Sequence, residues 1–175
     1  NCYIKLGTVL FEQGKIEEAE LATRKAIEIN PNIIESYKVL GFILRSLGKT
    51  QEAIISIRKF VDIYPNDIRS NILLGYLLKD CGKSKEALDC WEEAYKNNPN
   101  SEAISFELGQ HYYLKSKYES AIKFLDKNNS NRCQSLHLGC LLALDREDDF
   151  HKKYQDINDQ NICNPEIGSI IDHAN

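Results

Sequence analysis

The chain has 175 residues, 42% hydrophobic and 27% charged, enough for one globular domain of ordinary composition. Its net charge of −4 opposes the phosphate-neutralising surface that drives nucleic-acid binding, and no apolar run nears the ~20 residues of a membrane span, so neither nucleic acid nor membrane is expected as a partner. No secretory pattern opens the chain, and its six cysteines form no C-x-x-C pair, which points to reduced thiols in a cytoplasmic protein; the lack of any Met, position 1 included, is expected of an internal piece of a longer one.

Residues 1–33 carry Leu6-Gly7, then Gly14, Ala19 and Pro31. Residues 34–67 repeat that order with Leu40-Gly41, Gly48, Ala53 and Pro65, and residues 68–101 with Leu74-Gly75, Gly82, Ala87 and Pro99. Three residue types thus advance together by 34 residues, which sets the unit of structure. Inside the second unit, Tyr37, Leu40 and Leu44 stand at i, i+3 and i+7 and predict a helix that Gly48 interrupts. Ala53, Ile54, Ile57 and Val61 predict a second helix, stopped before Pro65 because the residue preceding proline is pushed out of the α region. Gly48 falls where a left-handed residue closes the first helix. Gly41 lies inside a helix, where glycine costs about 1 kcal/mol against alanine, so two helices are expected to pass closely there.

Residues 102–128 form a fourth unit, with Leu108-Gly109 and Ala121; Asn128 has no proline after it, which predicts a short second helix. Asn71 and Ser105 replace the leading aromatic seen at Tyr37. Residues 129–160 give a degenerate fifth pair or cap, with Leu138-Gly139 and a stripe of Phe150, Tyr154 and Ile157. In residues 161–175, Asn164 as cap and Pro165 at the first helical position predict a short helix, readable as the start of a truncated following domain.

The stretch "RCQSLHLGC" places Cys133, His137 and Cys140 within about 60° of helix surface. Zinc would need a fourth ligand from Cys163, His173 or an acidic side chain. The expected reading is reduced cysteines on a partly covered helix face, without metal or cofactor. Neighbouring carboxylates such as Glu92-Glu93 diverge by about 100° on a helix, and no nucleophile elbow, phosphate loop or metal-binding histidine pair is present. No catalytic residue is therefore assigned, and no enzymatic activity is expected.

Tyr37-x-x-Leu40-Gly41-x-x-Leu44, followed by Ala53, Ile57, Phe60 and Pro65, resembles the tetratricopeptide repeat. The resemblance runs from residue 1 to about 128 and is carried by "QGKIEEA", "LGKTQEA", "CGKSKEA" and the weaker "KSKYESA". It implies an all-α, right-handed superhelical solenoid of antiparallel helix pairs that binds proteins, with the first helices lining a concave groove. Opposite the inward Leu40 and Leu44 lie Lys38, Phe42 and Arg45; their equivalents are Ile72, Tyr76, Lys79 and Phe106, Gln110, Tyr113. These nine residues are the expected peptide-binding surface for an extended or helical segment, unless the aromatics serve only to stack repeats. The carboxylate clamp of some family members is not expected, since Ile4, Thr8, Val39 and Leu73 stand where its polar groups would be. The repeats are also similar to those of long bacterial chains that append an iron- and 2-oxoglutarate-dependent oxygenase-like domain, and "NPEIGS" resembles the junction into it. That resemblance implies a targeting arm for an enzyme lying beyond Asn175.

Overall fold

The computed structural model describes residues 2–159, and among them every regular element is an α-helix. The pairs are α1 (Cys2–Glu12) with α2 (Ile16–Ile29), α3 (Glu35–Ser46) with α4 (Thr50–Val61), and α5 (Ile68–Asp80) with α6 (Ser84–Asn97). They are followed by α7 (Glu102–Leu114) with α8 (Tyr118–Leu125), and α9 (Asn131–Ala143) with α10 (Glu147–Asp159). The first three pairs make one compact unit, Asn1–Asn97, and a second begins at Asn98. The short helix expected in 161–175, with Asn164 and Pro165, lies outside the described residues, as do Cys163 and His173.

Each pair folds back through one kind of turn. After α3, Gly48 takes φ +70°, its N–H reaches the Arg45 carbonyl at 3.0 Å, and the Lys49 N–H reaches Leu44 at 2.9 Å. This satisfies carbonyls that the helix end leaves without partners. The second unit makes the same turn without glycine: Ser116 and Asp145 sit at φ 55° and 54°, and Lys117 N–H and Arg146 N–H close onto Tyr112 and Leu141 at 2.9 and 3.1 Å. A left-handed L-residue costs roughly 1–2 kcal/mol, and the hydrogen bonds of the turn offset it.

The Leu-Gly pairs have a packing cause. A methyl group on Gly41, Gly75 or Gly109 would meet the side chain sixteen residues later on the partner helix, Ile57, Trp91 or Leu125. Gly139 departs from this rule, its nearest side-chain neighbour being the Tyr113 ring at 3.8 Å. Gly75→Ala is accordingly expected to cost about 1–3 kcal/mol through overpacking. Gly139→Ala should be neutral or gain up to ~1 kcal/mol from helix propensity. Urea denaturation of the two variants checks the contrast, and equal losses would contradict it.

Leu40, Leu44, Ile57, Leu74 and Leu78 are all buried in the first unit's main core cluster. Leu6 differs from its equivalents: it is 47% exposed, with Tyr3 and Val9 beside it at 42% and 47%. The corresponding side of α3, one period later, is covered because α2 packs against it. In the second unit, Ala121, Leu125, Cys133 and Cys140 form one cluster, and Leu138, Leu141, Phe150 and Ile157 another. The polar replacements for the leading aromatic are buried and bonded. The Asn71 amide donates to the Pro65 and Asp67 carbonyls at 2.8 and 3.0 Å. The Asn128 amide, where the repeat proline is missing, donates to Ser105 Oγ at 3.4 Å and to the Asn100 carbonyl at 3.3 Å.

Candidate functional site

On α3 and α5 the six expected surface residues fall into two kinds. Lys38 is closed on Asp67, Nζ to Oδ2 2.6 Å, with its ammonium 5.0 Å from the Phe60 ring centre, so it ties α3 to the cap of α5. Phe42 packs partly against the core cluster, and Ile72 is half-buried. Tyr76 stands edge-on to Trp91, ring centres 5.5 Å apart, and Lys79 Nζ lies 6.0 Å from the Tyr76 ring and 5.3 Å from Trp91. Arg45 is exposed, and neither it nor Lys79 enters an ion pair among the described residues.

In the second unit, Phe106 lies beneath the Arg132 guanidinium, 3.9 Å from the ring centre, and joins the cluster around Leu125 and Cys133. Tyr113 meets Tyr118 at 5.4 Å and lies over Gly139, while Gln110 is exposed. Phe106 and Tyr113 therefore give part of their area to packing, and what they keep exposed is limited.

The Cys133, His137 and Cys140 arc is more deeply placed than expected. Instead of a partly covered face, all three are buried, at 0%, 5% and 0% exposure. Helices α7, α8 and α10 all pack on α9 and close over that side. Cys133 Sγ faces the Glu102 carbonyl at 3.9 Å, whereas His137 Nδ1 looks towards Asp126 Oδ1, also 3.9 Å away and beyond hydrogen-bond range. Burial pushes the Cys133 thiol up and Cys140 up to about 12, which disfavours the thiolate form of both. Burial, with the Lys153 charge, pushes His137 down to about 4 against the opposing pull of Asp126, leaving a neutral imidazole. No group of three His, Cys, Asp or Glu side chains among the described residues is placed to hold a metal ion. Among the same residues no helix is long and apolar enough to cross a membrane.

A cleft where α2, α3 and α4 meet was not anticipated from the sequence. Its walls include Tyr37 and Ile55. The available signal was the comparison of these two with Asn71 and Asp89 one repeat later.

Helix pairs joined by left-handed turns and packed through glycine define an all-α solenoid fold. Tetratricopeptide repeat profiles match residues 1–33, 22–55 and 72–127. The chain belongs to the tetratricopeptide repeat family. Solved structures agree in fold. The crystal structure of the MamA protein superposes with a TM-score of 0.73 at 20% identity, over 89% of this chain and 88% of that one. A MamA fragment from Desulfovibrio magneticus RS-1 gives 0.69 at 18% identity, over 90% and 92%. A tetratricopeptide repeat protein from Parabacteroides merdae gives 0.73 at 21% identity, over 90% and 65%. No curated protein matches the chain.

Proposed function

We propose that this chain is a protein-interaction scaffold whose first-helix surface binds an extended or helical peptide with apolar anchors and some Asp or Glu. The observation that carries the reading is the pairing of aromatic area with cations outside ion pairs: Phe42 and Tyr76 share their helices with Arg45 and Lys79. The chain as a whole is acidic, so these cations make the local charge differ in sign from the bulk. Lys38 contributes less, since Asp67 already neutralises it. Phe106, Gln110 and Tyr113 on α7 bring aromatic and amide groups without a cation, and the reading leans on them less.

Tyr76→Ala is expected to weaken a partner recovered by pull-down by about 1–3 kcal/mol, the usual loss on truncating an interface aromatic. Arg45→Glu should weaken it further and reduce its salt sensitivity, because repulsion of an acidic segment replaces attraction. Calorimetric titration at two salt concentrations measures both effects. Unchanged affinity in both variants, with the circular dichroism of a folded helical protein, would place the partner elsewhere.

A further inference from the structure

The face that a preceding helix covers on α3 and α5 is open on α1. Leu6 and Val9 are each 47% exposed, whereas their equivalents are closed, Leu40 and Leu74 at 4% and 5%, Ile43 and Leu77 at 0% and 1%. Tyr3 completes the stripe at 42%. A repeat at the edge of an array needs a polar outer face, because nothing stacks beyond it. Helix α10 has one, since every exposed side chain described on it is polar. Helix α1 does not, and large apolar side chains left together in water mark a contact surface.

The same unit shows what covers such a face. On α3 the cover is α2, and on α5 it is α4. Each covering helix carries an arginine and, three residues later, a β-branched side chain: Arg24 and Ile27 on α2, Arg58 and Val61 on α4. Ile27 and Val61 pack against the cluster that holds Leu40, Leu44, Leu74 and Leu78. The arginines reach a glutamate on the next second helix, Arg24 to Glu52 at 2.5 Å and Arg58 to Glu86 at 3.1 Å. Glu18 holds that glutamate's place on α2, is exposed, and enters no ion pair among the described residues. An apolar stripe and a glutamate that are both partnered in the later repeats of the unit are therefore both open in the first.

We propose that α1 is covered by one more helix of the α2 and α4 kind, carrying Arg-x-x-Ile or Arg-x-x-Val and supplied by the same polypeptide ahead of Asn1. Its β-branched side chain closes on Leu6, and its arginine pairs with Glu18. A second copy of this chain fits less well, since its second helices with that pattern, α2 and α4, already pack on α3 and α5. The site is distinct from the Arg45 and Tyr76 surface and stands or falls without it. The coding sequence can be read for an arginine and an isoleucine or valine one 34-residue step before Arg24 and Ile27. Amide hydrogen exchange in α1 is then compared between residues 1–175 and the full-length chain. Exchange is expected to slow at least about tenfold in the full-length chain. Leu6→Asp should restore the fast rate there while changing little in residues 1–175. Val9→Ser, a milder change, should act in the same direction, and circular dichroism checks that both variants fold. The proposal is overturned by other residue types at the two upstream positions, or by equal α1 exchange in the two chains. It is equally overturned if residues 1–175 sediment as a dimer that Leu6→Asp dissociates, which would make a second copy the occupant.

Discussion

Trp91→Ala is expected to destabilise the first unit by about 3–5 kcal/mol, the cost of deleting a buried indole and leaving a cavity. Trp91 is 1% exposed, lies against the α-carbon of Gly75, and donates from Nε1 to the Ile72 carbonyl at 3.4 Å. Its equivalents are Thr23, Ile57 and Leu125, all smaller, so none of those pairs buries as much area at this position. Trp91→Phe keeps most of the apolar contact and should lose only ~1–2 kcal/mol, chiefly the hydrogen bond and part of the ring. The Gly75 and Trp91 pair can be tested as a unit. If glycine is needed because the indole rests on it, Gly75→Ala should be costly in the wild-type background and nearly neutral in the Trp91→Ala background, giving a coupling of about 1–2 kcal/mol in a double-mutant cycle. The readout is the first urea transition, since repeat arrays need not unfold in one step. Additive losses would mean that Gly75 serves another purpose.

Much of this architecture was legible because it repeats. A 34-residue period in Leu-Gly, Ala and Pro fixes helix, turn and helix without any three-dimensional information, and Gly48 announced its left-handed turn. The same turns at Ser116 and Asp145 were not announced: Ser has no preference for positive φ, and Asp, although enriched there among L-residues, is far commoner in other conformations. The exposure of Leu6 also could not be read from its motif, which is identical to that of buried Leu40; burial depends on which helix lies alongside, a property of neighbours and not of the residue. The surface was less legible still. Lys38 and Arg45 look alike in the sequence, two cations on the same face of one helix. Only the packed structure shows that Asp67 takes up the first and leaves the second exposed. Likewise Phe106 and Tyr113 read as groove aromatics, but Arg132, Tyr118 and the bare backbone of Gly139 engage them from inside the unit.

The second unit is expected to lose stability as pH falls below the usual histidine range, with His137 as the cause. In the folded chain its imidazole is held neutral down to about 4, first by burial, then by Lys153, with Arg146 adding to this and Asp126 working against it. In the unfolded chain it takes a proton near 6.5. Above that value both states are neutral and the difference contributes nothing. Between about 6.5 and 4 only the unfolded state binds the proton, so each pH unit favours unfolding by about 1.4 kcal/mol, to a total near 3 kcal/mol. Asp126, Asp149, Asp156, Lys152, Lys153 and Arg146 line the cleft in front of the ring. The informative range is pH 7 to 5, which spans the ordinary histidine value. There the wild type should lose about 1.5–2 kcal/mol, while His137→Gln, although less stable at pH 7, should show a flatter dependence. The imidazole proton resonance should stay at its neutral position through pH 5. A His137 resonance that titrates near 6.5, or parallel pH profiles for the two proteins, would show that the ring reaches solvent and that α8, α9 and α10 do not seal it as packed.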